Sequence, residues 1–171
     1  MTDYIKLKIT HKTELQALQD LIIVTIIFFG LSAIVLFYAE LPYLVLILLA
    51  FYAILFFTPV IILHSNYEKV NKNKDLIILN DKLEFGNEII EYNNIEKIIA
   101  VGTYQSINKT SLSELPYQCA YFYIQIIHNN GKSIYLTNLY SKDLIQIVSN
   151  KIPNHIVEKK LTSFPLIKKY I

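Results

Sequence analysis

The sequence predicts an α+β membrane protein: a two-helix transmembrane hairpin joined to a cytoplasmic, bent antiparallel sheet that a C-terminal helix closes. Three observations predict it. Two apolar runs without a charged residue, Leu21 to Ala39 and Leu41 to Leu63, are separated only by Glu40. After Leu63 the pattern changes to short alternating stretches broken by asparagine and glycine turns, and from Ser141 to Pro153 it changes again to helical spacing.

The segment 1–20 reads as a cytoplasmic strand and lead-in. Ile5, Leu7 and Ile9 alternate with Tyr4, Lys6 and Lys8, so this piece is expected to add a strand to the sheet edge, with His11 to Asp20 helical after it. The hairpin occupies 21–63, its helices spanning 21–39 and 42–63. Each is long enough, at about 1.5 Å per residue, to cross a hydrocarbon layer of about 30 Å. The first run follows Asp3, Glu14 and Asp20 and ends in no small-residue cleavage pattern, which marks it as a retained span and not a signal peptide. Lysines flank the hairpin on both sides, whereas the turn Tyr38-Ala39-Glu40-Leu41-Pro42-Tyr43 has none. The positive-inside rule then places both termini on the cytoplasmic side of the membrane, with Tyr38 and Tyr43 at the far interface. Thr58-Pro59 should bend or end the second helix, because proline lacks the amide hydrogen and crowds the preceding turn.

A polar linker, 64–74, leads to a domain over 75–153. Leu76 to Leu79 is a short apolar strand, Asn80-Asp81-Lys82 a turn, Leu83 to Phe85 the next strand, and Gly86-Asn87 a second turn before Glu88 to Tyr92. Lys97 to Tyr104 is rich in β-branched residues. Ala120 to Ile127 alternates, and Asn129-Asn130-Gly131-Lys132 is a hairpin turn into Ser133 to Thr137. Ser141 can cap a helix with Asp143 in its first turn and with Leu144, Val148 and Ile152 on one face.

This order of strand, tight turn and strand, with Glu91-Tyr92-Asn93-Asn94-Ile95-Glu96-Lys97-Ile98 and a closing helix, resembles the bacterial pleckstrin-homology-like domains, many of which follow a transmembrane helix pair. Tyr92 to Ile98 is similar to that family's aromatic-x-acid-isoleucine element, with tyrosine where tryptophan is frequent and Asn94 where an acid is frequent. The resemblance implies a partly closed barrel plugged by the C-terminal helix and no catalytic residues. It carries over no phosphoinositide site, since the first strand loop offers only Asp81 and Lys82.

All 16 basic residues are lysine, which removes the bidentate guanidinium fork that nucleic-acid readers favour. One cysteine, Cys119, excludes an internal disulfide. The four histidines, His11, His64, His128 and His155, lack ligand spacing, and no carboxylate cluster, phosphate loop or serine elbow occurs. The sequence therefore calls for no cofactor and no enzymatic role. The long loop Gln105 to Gln118 is the expected protein-contact surface, through Ser106, Lys109, Ser111, Glu114 and Tyr117. Lys69, Lys72 and Lys74, and in the basic and apolar tail 154–171 Lys159, Lys160, Lys168 and Lys169, are expected at an anionic membrane surface, the alternative for the tail being to pack on the domain. The leading expectation is a non-enzymatic membrane protein that binds a protein partner or itself, an immunity or defence factor being one specific form. The alternative is a lipid or small-ligand sensor that uses Tyr121, Tyr123 and Tyr135.

Overall fold

The computed structural model describes residues 4–39, 41–109, 115–152 and 156–168. A short strand β1 (Ile5–Leu7) leads into the long helix α1 (His11–Ala39). Thr10 opens that helix by exchanging hydrogen bonds with Thr13: the Thr13 amide donates to Thr10 Oγ1 at 3.3 Å and the Thr10 amide to Thr13 Oγ1 at 2.9 Å. The chain returns through α2 (Pro42–Tyr52), a π-helical turn (Ala53–Phe57) and α3 (Thr58–Asn71).

Pro59 does not end the second helix. Its missing N–H and its ring are absorbed by the wide turn just before it, where Thr58 N donates to Ala53 O five residues back. Nor does the helix stop with the apolar run at Leu63. It continues to Asn71, because Val60, Leu63, Tyr67 and Val70 recur at helical spacing and are all buried. Most of the expected linker 64–74 is therefore helix.

Both apolar helices are long enough to cross a membrane. Only 11% of each helix's most apolar window is buried, whereas a helix in a soluble core would turn such side chains inward. Ile26, Phe37, Leu46 and Ile54 all point outward. Between the helices Phe28, Tyr52 and Phe56 pack ring on ring, and the hydroxyls of Thr25 and Tyr52 lie 2.6 Å apart.

The remainder forms two four-stranded sheets. The first runs β1-β2-β3-β4, with β2 (Leu76–Ile78), β3 (Lys82–Phe85) and β4 (Glu88–Glu91), all antiparallel. Ile5 pairs with Ile78 and Leu7 with Leu76, so the N-terminal strand joins the sheet edge as its alternation implies. Gly86 makes the β3–β4 turn at φ +60°, a backbone that glycine adopts without strain.

The second sheet has the order β7-β6-β5-β8, with β5 (Ile95–Gly102), β6 (Phe122–His128), β7 (Ser133–Thr137) and β8 (Val157–Leu161). β8 runs parallel to β5, with Ile98 opposite Val157 and Gly102 opposite Leu161. Short helices α4 (Tyr104–Asn108) and α5 (Pro116–Ala120) lie between β5 and β6, and α6 (Leu144–Lys151) follows β7.

One correction follows: the single bent sheet or partial barrel is two separate sheets, one of them containing a parallel pair. Of the two placements open to the 154–171 tail, its described part takes the one on the domain, contributing a strand and then packing on α3.

One core joins the two sheets and α6, with Leu76, Leu83, Phe85, Ile98, Ile124, Leu136, Leu144 and Val148 buried together. Full burial of a leucine or isoleucine side chain contributes about 2 kcal/mol. A second core covers the other face of the β5–β8 sheet with α1, α3 and the tail: Ala17, Leu63, Tyr67, Tyr121, Leu139 and Ile167. The lower end of the hairpin is thus built into the domain.

Candidate functional site

The junction between hairpin and domain is held by side chains that read backbone. Asn66 Nδ2 donates to Ile167 O at 3.2 Å while Ile167 N donates to Asn66 Oδ1 at 3.0 Å, as a neighbouring strand would bond. Tyr67 OH donates to Pro165 O at 2.8 Å. Tyr67 also packs edge-on against Tyr121 and Tyr123, and Tyr123 against Tyr135. His64 Nδ1 lies 3.1 Å from Tyr121 OH. Burial pushes the Tyr121 hydroxyl up, which keeps it protonated at neutral pH. Of the aromatic set considered for a ligand, Tyr121 is fully buried under Tyr67 and has no face open to a small molecule, while Tyr123 and Tyr135 are half-buried.

Beside this junction lies a cavity of about 340 Å³ between the end of β1, the start of α1 and the end of α3. Its charged lining is balanced, Lys8, Lys72 and Lys74 against Glu14, Glu68 and Asp75. The cations already have partners. Lys8 and Lys6 reach Asp75 Oδ2 at 3.0 and 3.1 Å, Lys72 reaches Glu68 at 3.8 Å, and Lys74 sits 4.7 Å over the Phe85 ring. Hydrogen bonds from Lys8 and then Lys6 hold the Asp75 carboxyl below the usual carboxylate range. Tyr140 OH ties the same corner by donating to Lys74 O at 2.7 Å, and burial pushes that hydroxyl's pKa up. A balanced lining concentrates no net positive charge, so it does not favour a polyanion.

The described part of the expected contact loop is largely helical. Thr103 caps α4, its Oγ1 accepting from Ser106 N at 3.2 Å, and its hydroxyl donates to Gln118 O at the end of the loop. Ser106 is buried against Gly102 and so serves the helix start, which removes it from a contact surface. Lys109 is exposed and pairs with Asp143 just before α6. Tyr117 is half-buried, its ring against Phe164 at 5.7 Å. Ser111 and Glu114 lie outside the described residues.

Of the lysines expected at a membrane surface, Lys69 is exposed on α3, Lys72 and Lys74 border the cavity, and Lys168 is exposed after the clamped tail. Lys169 lies outside the described residues. Lys159 and Lys160 are strand residues on β8, and Lys159 Nζ donates to Asn108 Oδ1 at 2.8 Å. Lys109 and Lys159, read from sequence as belonging to different surfaces, are thus neighbours around α4. Tyr104, in the same short helix as Asn108, and Leu161, opposite Gly102 on β8, are also exposed. Sequence reasoning missed β8, because Glu158, Lys159 and Lys160 stand in a row and leave no apolar alternation between Val157 and Leu161.

Among the described residues no group of three or more histidine, cysteine or acidic side chains could hold a metal ion. A family model described as PH domain matches residues 6–146, from within β1 to within α6, with the apolar hairpin inside the matched region. No curated protein matches the sequence.

Proposed function

Because the chain belongs to the PH domain family, whose domains are protein- or lipid-interaction modules, we propose that it is a non-enzymatic integral membrane protein of the bacterial inner membrane whose PH domain binds protein at the cytoplasmic face. The observation that carries this reading is the hairpin itself. Two helices keep their large apolar side chains turned outward, and they leave and re-enter one domain between β1 and β2. Such a surface in water would aggregate; in a bilayer it is satisfied. Both ends of the hairpin then lie on one side, as the flanking lysines require.

Protein is favoured over lipid as the ligand for two reasons. The aromatic face considered for a lipid is covered by α3, and the junction cavity has no surplus of positive charge. Tyr104 and Leu161 are exposed aromatic and apolar groups with Lys109 and Lys159 also exposed, so an apolar contact here would have a lysine rim. An immunity or defence factor acting on a membrane-embedded partner is one form of this function. A photo-crosslinking amino acid at Tyr104, in intact cells, tests the reading. The expected product is a discrete protein adduct. Absence of any such adduct, together with one lipid class that survives delipidation in native mass spectrometry, would establish the lipid reading instead.

A further inference from the structure

β8 is the outermost strand of its sheet, and no described strand pairs with its far side. The direction of its free groups can be derived. Thr162 N donates to Gly102 O at 2.9 Å. Backbone groups alternate along a strand, so Glu158, Lys160 and Thr162 turn toward β5, whereas Val157, Lys159 and Leu161 turn N–H and C=O outward. Glu158 through Leu161 are exposed, so the edge is open to a second strand among the described residues.

We infer that this edge pairs antiparallel with the same edge of a second copy of the chain, centred on Lys159, which joins two four-stranded sheets into one. The register follows from the alternation. Outward-bonding residues must meet outward-bonding residues, so only three centres are available within the strand's middle. Centred on Glu158, two carboxylates face each other; centred on Lys160, two ammonium groups do. Centred on Lys159, Glu158 of each copy faces Lys160 of the other, and Val157 faces Leu161. This centre alone pairs opposite charges, and it overlaps all of Val157–Leu161. Lysines on an edge strand ordinarily repel a second strand. Here the acid within Val-Glu-Lys-Lys-Leu makes the row self-complementary.

The two Lys159 side chains meet on the opposite sheet face, and each is drawn aside to Asn108 Oδ1 at 2.8 Å. Glu158 uses Oε2 for Lys97 at 2.8 Å, and its other oxygen is available across the dyad. The ladder supplies about six backbone hydrogen bonds, two from each of the outward-bonding pairs. Confinement of both copies to one bilayer raises their effective concentration. The inference deepens the protein-interaction reading and rests on it: the partner of this surface is the chain itself.

Disulfide trapping of the full chain in detergent micelles, on a Cys119→Ser background, tests it. Lys159→Cys should link to itself rapidly, and Lys132→Cys, in the distant β6–β7 turn, should not. Without added cysteines, Lys160→Glu and Glu158→Lys should each weaken self-association by about tenfold, since two attractive cross-strand pairs become repulsive. Mixing the two variants should restore a dimer containing one of each. The inference is overturned if Lys159→Cys links no faster than Lys132→Cys, or if the mixture associates no better than either variant alone. A dimer that persists without the Lys159 link places self-association on another surface and leaves the protein-interaction reading intact. A monomer that also yields no protein adduct at Tyr104 removes both.

Discussion

Asn66 and Ile167 form a closed two-bond pair across 101 residues of sequence, the side-chain amide of one completing the backbone of the other at 3.2 and 3.0 Å. Both residues are buried. A helix that leaves an apolar hairpin is thereby fastened to the last described segment of the domain.

Replacement of that amide should release the tail. Asn66→Ala leaves the Ile167 N–H and C=O buried without partners, a cost of about 3 kcal/mol. The measurement is urea unfolding in micelles, with limited proteolysis beyond Thr162 as a second readout. Ser65→Ala, at the exposed neighbouring position, should change neither.

Acid should loosen the join between β1 and β2 before it loosens the core. The folded Asp75 carboxyl titrates below its unfolded value because Lys8 and Lys6 hydrogen-bond to it. As pH falls the unfolded chain takes the proton first. The contribution is therefore complete above the unfolded carboxylate's pKa and is lost as pH drops through the folded one. Protection of the Ile5 and Leu7 amides, which face Ile78 and Leu76 of β2, should fall through the carboxylate range once the intrinsic slowing of amide exchange in acid is divided out. Asp75→Asn should show fast exchange already at neutral pH and no further acid step.

Gly102 is required by close approach. A Cβ there would lie 2.5 Å from Ser106 Oγ, 2.9 Å from Phe122 Cβ and 3.1 Å from Ile107 Cγ1. Gly102→Ala should cost about 1–3 kcal/mol through overpacking. A thermal melt would show it, and Gly131→Ala offers a contrast in cause: its Cβ would meet nothing within 4 Å, but its φ of +79° strains any side chain.

Much of this architecture is legible in the residues because local chemistry dictates it. The alternation of Ile5 and Leu7 and the Asn-Gly turn before Ser133 correspond to strands that form where expected, whereas the helix expected to be capped by Ser141 starts at Leu144 with Asp143 at its N-cap, and Ser141 Oγ instead accepts from Asp143 N at 3.0 Å. The extension of α3 past Leu63 was hidden by the change in composition, although Val60, Leu63, Tyr67 and Val70 kept the helical period. β8 was hidden for a different reason. An edge strand shows its charges to water and pairs in parallel with a strand some sixty residues earlier, and no local pattern encodes that register. The proposed contact surface was legible in part: Lys109 is exposed, burial removes Ser106, and Lys159 comes beside α4 only through the unforeseen strand.

The central claim is that the hairpin crosses a bilayer and leaves the domain on the inner side. Labelling of intact cells with a membrane-impermeant maleimide, on a Cys119→Ser background, tests it most directly with Tyr43→Cys in the hairpin turn and Lys132→Cys in the domain. Tyr43→Cys should react without permeabilisation, and Lys132→Cys only after it. Reaction of Lys132→Cys in unbroken cells, or protection of both positions, would contradict the account.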